Sequence, residues 1–233
     1  MKTMTSHIVS AFSEELETLS ADILRMGGIS ESMINDACRA LVAGNTSLAD
    51  ETANRDDIVD ELEADIERRI LRLLALRQPM ATDLRAVVAA LKVSSELERI
   101  GDLSKNIAKR VAPLDGSDVQ GVLMSVERMG RGVSHQLHLV LDAYSEADAE
   151  LALQVWSGDE EIDQHYNSLF REVLTYMMQD PRMIGPGAHL MFIAKNLERI
   201  GDHCTNIAEI VHFQVTGTYL TSSARPKAPL LDG

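Results

Sequence analysis

Pairs of carboxylates set four residues apart carry the first chemical signal in this chain. Asp56 and Asp60 form one pair, and Glu98 and Asp102 form another. On a helix such residues project from one face, and like charges at that spacing repel. Glu63 and Glu67 extend the first row. Asp159 with Asp163, and Glu198 with Asp202, repeat the arrangement further along. If the two helices of a set lie side by side, their carboxylates converge. A hard cation such as Mg2+, Mn2+, Ca2+ or ferric iron would then relieve the repulsion. These eight residues are the candidate metal ligands, with Asn106 and Asn206 as possible supports. The competing reading is a wet, salt-bridged face, in which Arg99 reaches Asp102 and Lys105 and Lys109 share the same side.

Other chemistry is thin. Few histidines and no cysteine cluster stand near the carboxylates, which argues against structural zinc. A carboxylate-bridged oxidase uses Glu-x-x-His on paired helices. Only Glu209 and His212 have that spacing, and the first half of the chain offers no counterpart. P-loop, nucleophile-elbow and dinucleotide-binding fingerprints are missing. Cys204 reads as a small buried hydrophobe and His203 as a packed core histidine on an apolar stripe. No residue is assigned a catalytic role.

The elements that must position the carboxylates repeat. Leu97-Glu98-Arg99-Ile100-Gly101-Asp102 recurs as Leu197-Glu198-Arg199-Ile200-Gly201-Asp202, and Asn106-Ile107-Ala108 as Asn206-Ile207-Ala208, at an offset of 100 (198 − 98). Upstream, Met26-Gly27 recurs as Met129-Gly130, and Asp56…Asp60 as Asp159…Asp163, at an offset of 103 (129 − 26). This pattern indicates a duplicated unit. Apolar residues at spacings of three and four predict three long helices in each half. In the first half they run near Val9–Gly44, Ser47–Gln78 and Thr82–Val111. In the second they lie near 121–144, 147–179 and 187–215. The segment Pro113–Gly121 reads as the linker, and Pro181, Gly185, Pro186 and Gly187 separate the last two helices. On the third helix of each half, Glu98/Asp102 and Glu198/Asp202 fall opposite the apolar stripe. Gly101 and Gly201, each in mid-helix, point to a close approach by a neighbouring helix or a ligand. The expected fold is all-α, two tandem three-helix bundles related by an internal pseudo-twofold. The boundaries are 1–115 and 116–217, followed by a loose tail over 218–233.

Composition agrees with this reading. Aromatics are only 4% of 233 residues, so strand signals are sparse. The net charge of −14 disfavours nucleic acid as a partner. Without a run of 18 apolar residues or an apolar leader, a cytoplasmic protein with no direct membrane insertion is expected.

The sequence resembles the PhoU family of phosphate-transport accessory and regulatory proteins, over about Phe12 to Val215. The resemblance rests on Leu-Glu-Arg-Ile-Gly-Asp-x-x-x-Asn-Ile at 97–107 and 197–207. It rests also on Arg77-Gln78-Pro79-Met80-Ala81-Thr82-Asp83-Leu84-Arg85, similar to that family's turn between its second and third helices. The resemblance implies two three-helix bundles, a homodimer, and metal clusters on the eight carboxylates named above. It implies a protein that restrains the phosphate-starvation response. The implied partners are the ATPase subunit of the phosphate ABC transporter and the sensor histidine kinase. In the second half Gln179-Asp180-Pro181-Arg182 departs from the turn. The first turn has two competing readings: Pro79 ends one helix and Thr82 or Asp83 caps the next, or Arg77 and Arg85 form charge-assisted bonds to phosphate.

Overall fold

The computed structural model describes residues 2–77, 79–114, 116–117 and 119–220, with the side chains of residues 2–13 and of Asp159 outside the description. Every regular element among these residues is helical: α1 (Lys2–Ala43), α2 (Thr46–Asn54), α3 (Asp56–Arg77), α4 (Thr82–Ala108), α5 (Val111–Leu114), α6 (Gln120–Glu146), α7 (Ala149–Ser157), α8 (Asp159–Gln179), a 3-10 turn (Pro181–Met183) and α9 (Ile184–Thr216).

The second helix of each half is broken in two, where the sequence predicts one continuous helix. Asn45 caps α2 by accepting from the Leu48 amide at 3.1 Å, and Asp148 caps α7 by accepting from Glu150 and Leu151. The breaks fall at Arg55 and Gly158, immediately before the first carboxylate of each row. Arg55 is a good helix former and gives no local stop signal. Tertiary contacts fix the break: its guanidinium reaches Asp36 on α1 at 2.7 Å and Ser32 at 3.0 Å. Asp56 thereby becomes the first residue of a new helix, where unpaired amides favour a negative charge.

Other boundaries differ as well, α1 beginning at Lys2 and not at Val9. α4 stops at Ala108, and a separate turn of helix, α5, carries Pro113 inside the expected linker. α9 begins at Ile184, because a proline in a first helical turn lacks only an amide that would have had no partner. Of the tail, Gly217 closes α9 with φ 73° and Tyr219 stacks on Phe213 with ring centroids 4.3 Å apart, while residues 221–233 lie outside the described residues.

The two three-helix units share one continuous core. α4 packs along α9, α1 against both α4 and α6, and α6 against α9, with α3 and α8 laid on the outer sides of α4 and α9. Met26, Met33, Leu97, Ile100, Met129, Leu137 and Ile200 are fully buried there. The duplication is visible in reciprocal contacts between α1 and α6. A Cβ on Gly27 would lie 2.5 Å from Leu141 Cδ2, and one on Gly130 would lie 2.4 Å from Cys38 Sγ. Gly130 follows Gly27, and Leu141 follows Cys38, by the same 103 residues (130 − 27, 141 − 38). Each glycine accepts the side chain that corresponds to the other's neighbour, as a pseudo-twofold requires. Interiors packed this tightly do not absorb an extra methyl freely.

Gly130→Ala is therefore expected to destabilise the protein by about 1–3 kcal/mol in urea unfolding. Adding Cys38→Ala should recover part of that loss. Strictly additive effects of the two substitutions would contradict this packing.

Candidate functional site

Asp56 and Asp60 stand on the opening turns of α3, with Glu63 and Glu67 further along; Glu98 and Asp102 stand on the facing side of α4. Glu98 and Asp102 are half-buried on the α3 flank, where the sequence places them on an outward side. Gly101 sets the distance between the helices: a Cβ there would lie 3.2 Å from both Asp56 Oδ1 and Val59 Cγ1. The expected close approach is that of a neighbouring helix carrying a carboxylate. The same holds at Gly201, whose added Cβ would lie 3.2 Å from Ile162 on α8.

Asp56 has no exposed surface. Its Oδ2 accepts from the Lys105 ammonium, while its Oδ1 has no hydrogen-bond partner. The rest of the row is crowded. Partial burial, then the nearby Asp56 carboxylate, raises the Asp60 carboxyl above its ordinary range. Glu63 is raised by burial and Glu67, against the pull of Arg99. Glu98 is raised by burial and by Asp102, Glu63 and Asp60, again with Arg99 opposing. Arg99 pairs with Glu98 at 3.4 Å, not with Asp102 as its spacing suggests.

The second row shares the frame but not the details. Asp159 opens α8 and its side chain lies outside the described residues; Asp163 and Asp202 are exposed. Glu198 is half-buried, 2.5 Å from the ammonium of Lys195, which also lies over the Tyr166 ring. Tyr166 and Phe170 stand where the first half has Glu63 and Glu67 (166 − 63, 170 − 67). Nearby, both amide atoms of buried Gln136 lack a hydrogen-bond partner.

The oxygen donors suit hard cations. As placed, however, no three Asp, Glu, His or Cys side chains among the described residues stand close enough to hold one metal ion together. The carboxylates of the first half line two paired helices, and its inner end carries a lysine.

A family model described as the PhoU domain matches residues 23–111 and again 126–211, one match on each half. The chain belongs to the PhoU family. It is 54% identical over 229 residues to the phosphate-specific transport system accessory protein PhoU homolog of Caulobacter vibrioides strain NA1000, covering 98% of this chain and 99% of that one. The homolog from Rhizobium meliloti is 45% identical, covering 95% and 94%. The fold is similar to the crystal structure of PhoU from Pseudomonas aeruginosa, with TM-score 0.86, 38% identity, and 89% of this chain and all of that one covered. It is also similar to the phosphate transport system regulatory protein PhoU from Streptococcus pneumoniae, with TM-score 0.84, 30% identity and coverages of 90% and 99%.

The PhoU turn between α3 and α4 works as a set of ties. Arg77 pairs with Glu15 on α1 at 3.1 Å. Arg85 donates through Nε to the Gln214 carbonyl at the end of α9 and through Nη2 to Thr82 Oγ1, each at 3.3 Å. Pro79 is half-buried, Asp83 is exposed and Gln78 lies outside the described residues. Neither Thr82 nor Asp83 caps α4. Ala81 holds the cap position at φ 51° without a side-chain hydrogen bond.

Sequence reasoning missed a polar bridge between the halves. Glu96 on α4 receives His203 Nδ1 at 2.6 Å and Asn206 Nδ2 at 3.1 Å from α9. His203 is thus half-buried at a polar contact rather than packed in the core, where Cys204 takes the buried position. Asn206 supports Glu96 instead of its own carboxylate row, and Asn106 is exposed. The second half has Asn196 in place of Glu96, so a search for repeated carboxylates passes it by. Glu209 accepts from Trp156 Nε1 at 2.8 Å, and His212 Nδ1 lies 3.1 Å from the Thr218 carbonyl. These two therefore face different partners and not a shared metal. Burial pushes the Cys38 thiol up to about 12, with Glu127 adding to the effect, so it is no nucleophile near neutrality.

Burial alone would raise Glu96, but the bonds from His203 and Asn206, together with Arg99, bring its carboxyl below the ordinary value of 4.5. A carboxyl lowered on folding binds fewer protons in the folded state. Its stabilisation is present above that ordinary value, fades as pH falls below it, and is gone once pH passes the lowered folded value. Glu96→Gln should therefore be less stable than wild type near neutrality, and the difference should shrink by about pH 3.5 in urea unfolding. An equal difference at both pH values would contradict the bridge.

Proposed function

We propose that this protein is a regulatory adaptor of phosphate uptake. It links the ATPase subunit of a phosphate ABC transporter to a sensor histidine kinase and restrains the phosphate-starvation response while phosphate is plentiful. The observation that carries this reading is the PhoU match on both halves, together with relatives named as accessory proteins of a phosphate-specific transport system. The build of the molecule supports it. Long helices leave extended exposed faces for docking, and the chain is strongly acidic. No helix among the described residues is long and apolar enough to cross a membrane, so contact with membrane proteins would pass through their cytoplasmic parts. On this reading the protein acts in the cytoplasm, as a homodimer, without catalysis.

Co-purification tests the adaptor role. The tagged chain should retain the transporter's ATPase subunit, the cytoplasmic part of the kinase, or both. Retention of neither would count against an adaptor.

A second reading is favoured by one specific observation. The buried Gln136 amide without a partner lies beside the second carboxylate row, while in the first row burial, then neighbouring carboxylates, raises Asp60, Glu63 and Glu98. On this reading the rows take up hard cations that stabilise the bundle. Titration of wild-type protein with Mn2+, followed by electron paramagnetic resonance, tests it. Saturable binding lost on Asp102→Ala/Asp202→Ala supports it, and absence of binding overturns it.

A further inference from the structure

Charge divides α3 along its length. Every charged residue from Asp56 to Glu67 is acidic, and every one from Arg68 to Arg77 is basic. A helix favours acids in its first turn and bases in its last, but that effect fades within a turn of each end. It does not account for Glu61, Asp65, Arg68 and Arg72 in the middle. Pairing within the helix accounts for two of these, since Arg68 bonds Asp65. Glu61 and Arg72 are exposed and, among the described residues, form no ion pair within the chain.

These four residues share the side of α3 that faces away from α1 and α4. Val59, Leu62, Ile66, Ile70 and Leu73 bury the opposite side. Each residue advances the helix by about 100°, so the step from Glu61 to Arg72 makes about three turns and brings both to one side. Asp65 and Arg68 are centred on the same point of the helix, between Ile66 and Glu67. Leu71, 58% exposed, and the small Ala64 and Ala75 lie on this side too. Asp60 and Glu63 belong instead to the α4 flank, beside Asp102 and Glu98. In the second half α8 repeats the frame without the division of charge. Gln164, Ser168 and Thr175 stand for Glu61, Asp65 and Arg72 (164 − 61, 168 − 65, 175 − 72), and Arg171 alone keeps its charge, at the position of Arg68 (171 − 68). The second half packs its helix without the other three charges, so packing α3 does not require them.

We propose that two copies of this chain meet on the outward side of α3, helix against helix in antiparallel sense about a twofold axis. This names the face of the homodimer read above and rests on that reading. In an antiparallel pair centred between residues 66 and 67, Glu61 faces the partner's Arg72 and Asp65 faces the partner's Arg68, and each contact occurs twice. The acidic half of each helix then lies along the basic half of the other. A parallel pairing in register would set like charges together. Complementary charge of this kind selects the partner and fixes the register. Leu71 supplies apolar surface, and the two alanines let the helices come close. One helix pair buries at most about 1,200 Å2, so the dimer is weak, reversible and sensitive to salt.

Sedimentation velocity at rising protein concentration, up to about 100 μM, tests the proposal. The proteins are wild type, Glu61→Arg, Arg72→Glu, the double swap Glu61→Arg/Arg72→Glu, and Gln164→Arg as a control at the matching site of α8. Circular dichroism checks that each is folded. Wild type should dimerise, and more weakly as salt rises to about 1 M. Each single reversal sets like charges together twice and should weaken the dimer about tenfold or more. The double swap should restore it. An equimolar mixture of the two single variants should restore it as well, because both reversed contacts then pair opposite charges. Gln164→Arg should dimerise like wild type. Single variants that dimerise as tightly as wild type would overturn the α3 face and leave the homodimer standing on another one. Weakened single variants that neither the double swap nor mixing restores would overturn the antiparallel pairing. Wild type that stays monomeric at every concentration would overturn both the face and the homodimer.

Discussion

A carboxylate with no exposed surface governs how this molecule is put together around its candidate site. Asp56 sits at the first residue of α3, pressed against α4 where Gly101 leaves room for it. A buried charge costs several kcal/mol unless something nearby offsets it. Three features do so here. The break after α2 gives Asp56 a helix start, with its favourable dipole. The missing side chain at Gly101 lets the two helices meet. Lys105 supplies the opposite charge across the helix pair. Losing either partner of such a pair exposes the other to the full cost of burial, which for pairs of this kind is about 3–5 kcal/mol. The helix break, the mid-helix glycine and the lysine are thus one solution to one electrostatic problem.

The duplication repeats the frame and then varies what it carries. Reciprocal glycine contacts between α1 and α6 hold the pseudo-twofold, and α4 and α9 run together through the shared core. On that common frame the first half keeps an acidic outer row, Asp60, Glu63 and Glu67, while the second replaces part of it with Tyr166 and Phe170. The bridge from Glu96 to His203 and Asn206 joins the halves once only, because Asn196 stands at the matching position. The two halves of the molecule therefore present different surfaces from one architecture.

Much of this was legible in the residues. The repeated Leu-Glu-Arg-Ile-Gly-Asp segment, read at offset 100, identifies the duplication, the paired carboxylates and the family together. The apolar spacings give the all-helical class. The two mid-helix glycines announce a close approach, although only the structure shows that a buried Asp56 meets the first of them. What escapes the sequence depends on contacts between distant segments. The break at Arg55 is imposed by Asp36 and Ser32 on another helix, and nothing in its neighbours marks it. Lys105 reads as one more solvated charge until α3 is laid beside it. Periodicity assigns His203 to the core because it lies three residues after Ile200 and four before Ile207, yet the helix buries the adjacent Cys204 instead. Thr82 and Asp83 have the composition of a helix cap, yet the turn at Ala81 puts neither in reach.

The regulatory role is the claim on which the functional account stands, and it is read most directly in the parent bacterium. Alkaline phosphatase activity would be measured in phosphate-rich medium in the parent strain, in a strain lacking this gene, and in that strain carrying the intact chain. The account predicts high activity in the deletion and a return to the low parental level when the chain is restored. Activity that stays low in the deletion would contradict it, since a brake on the starvation response cannot be removed without effect.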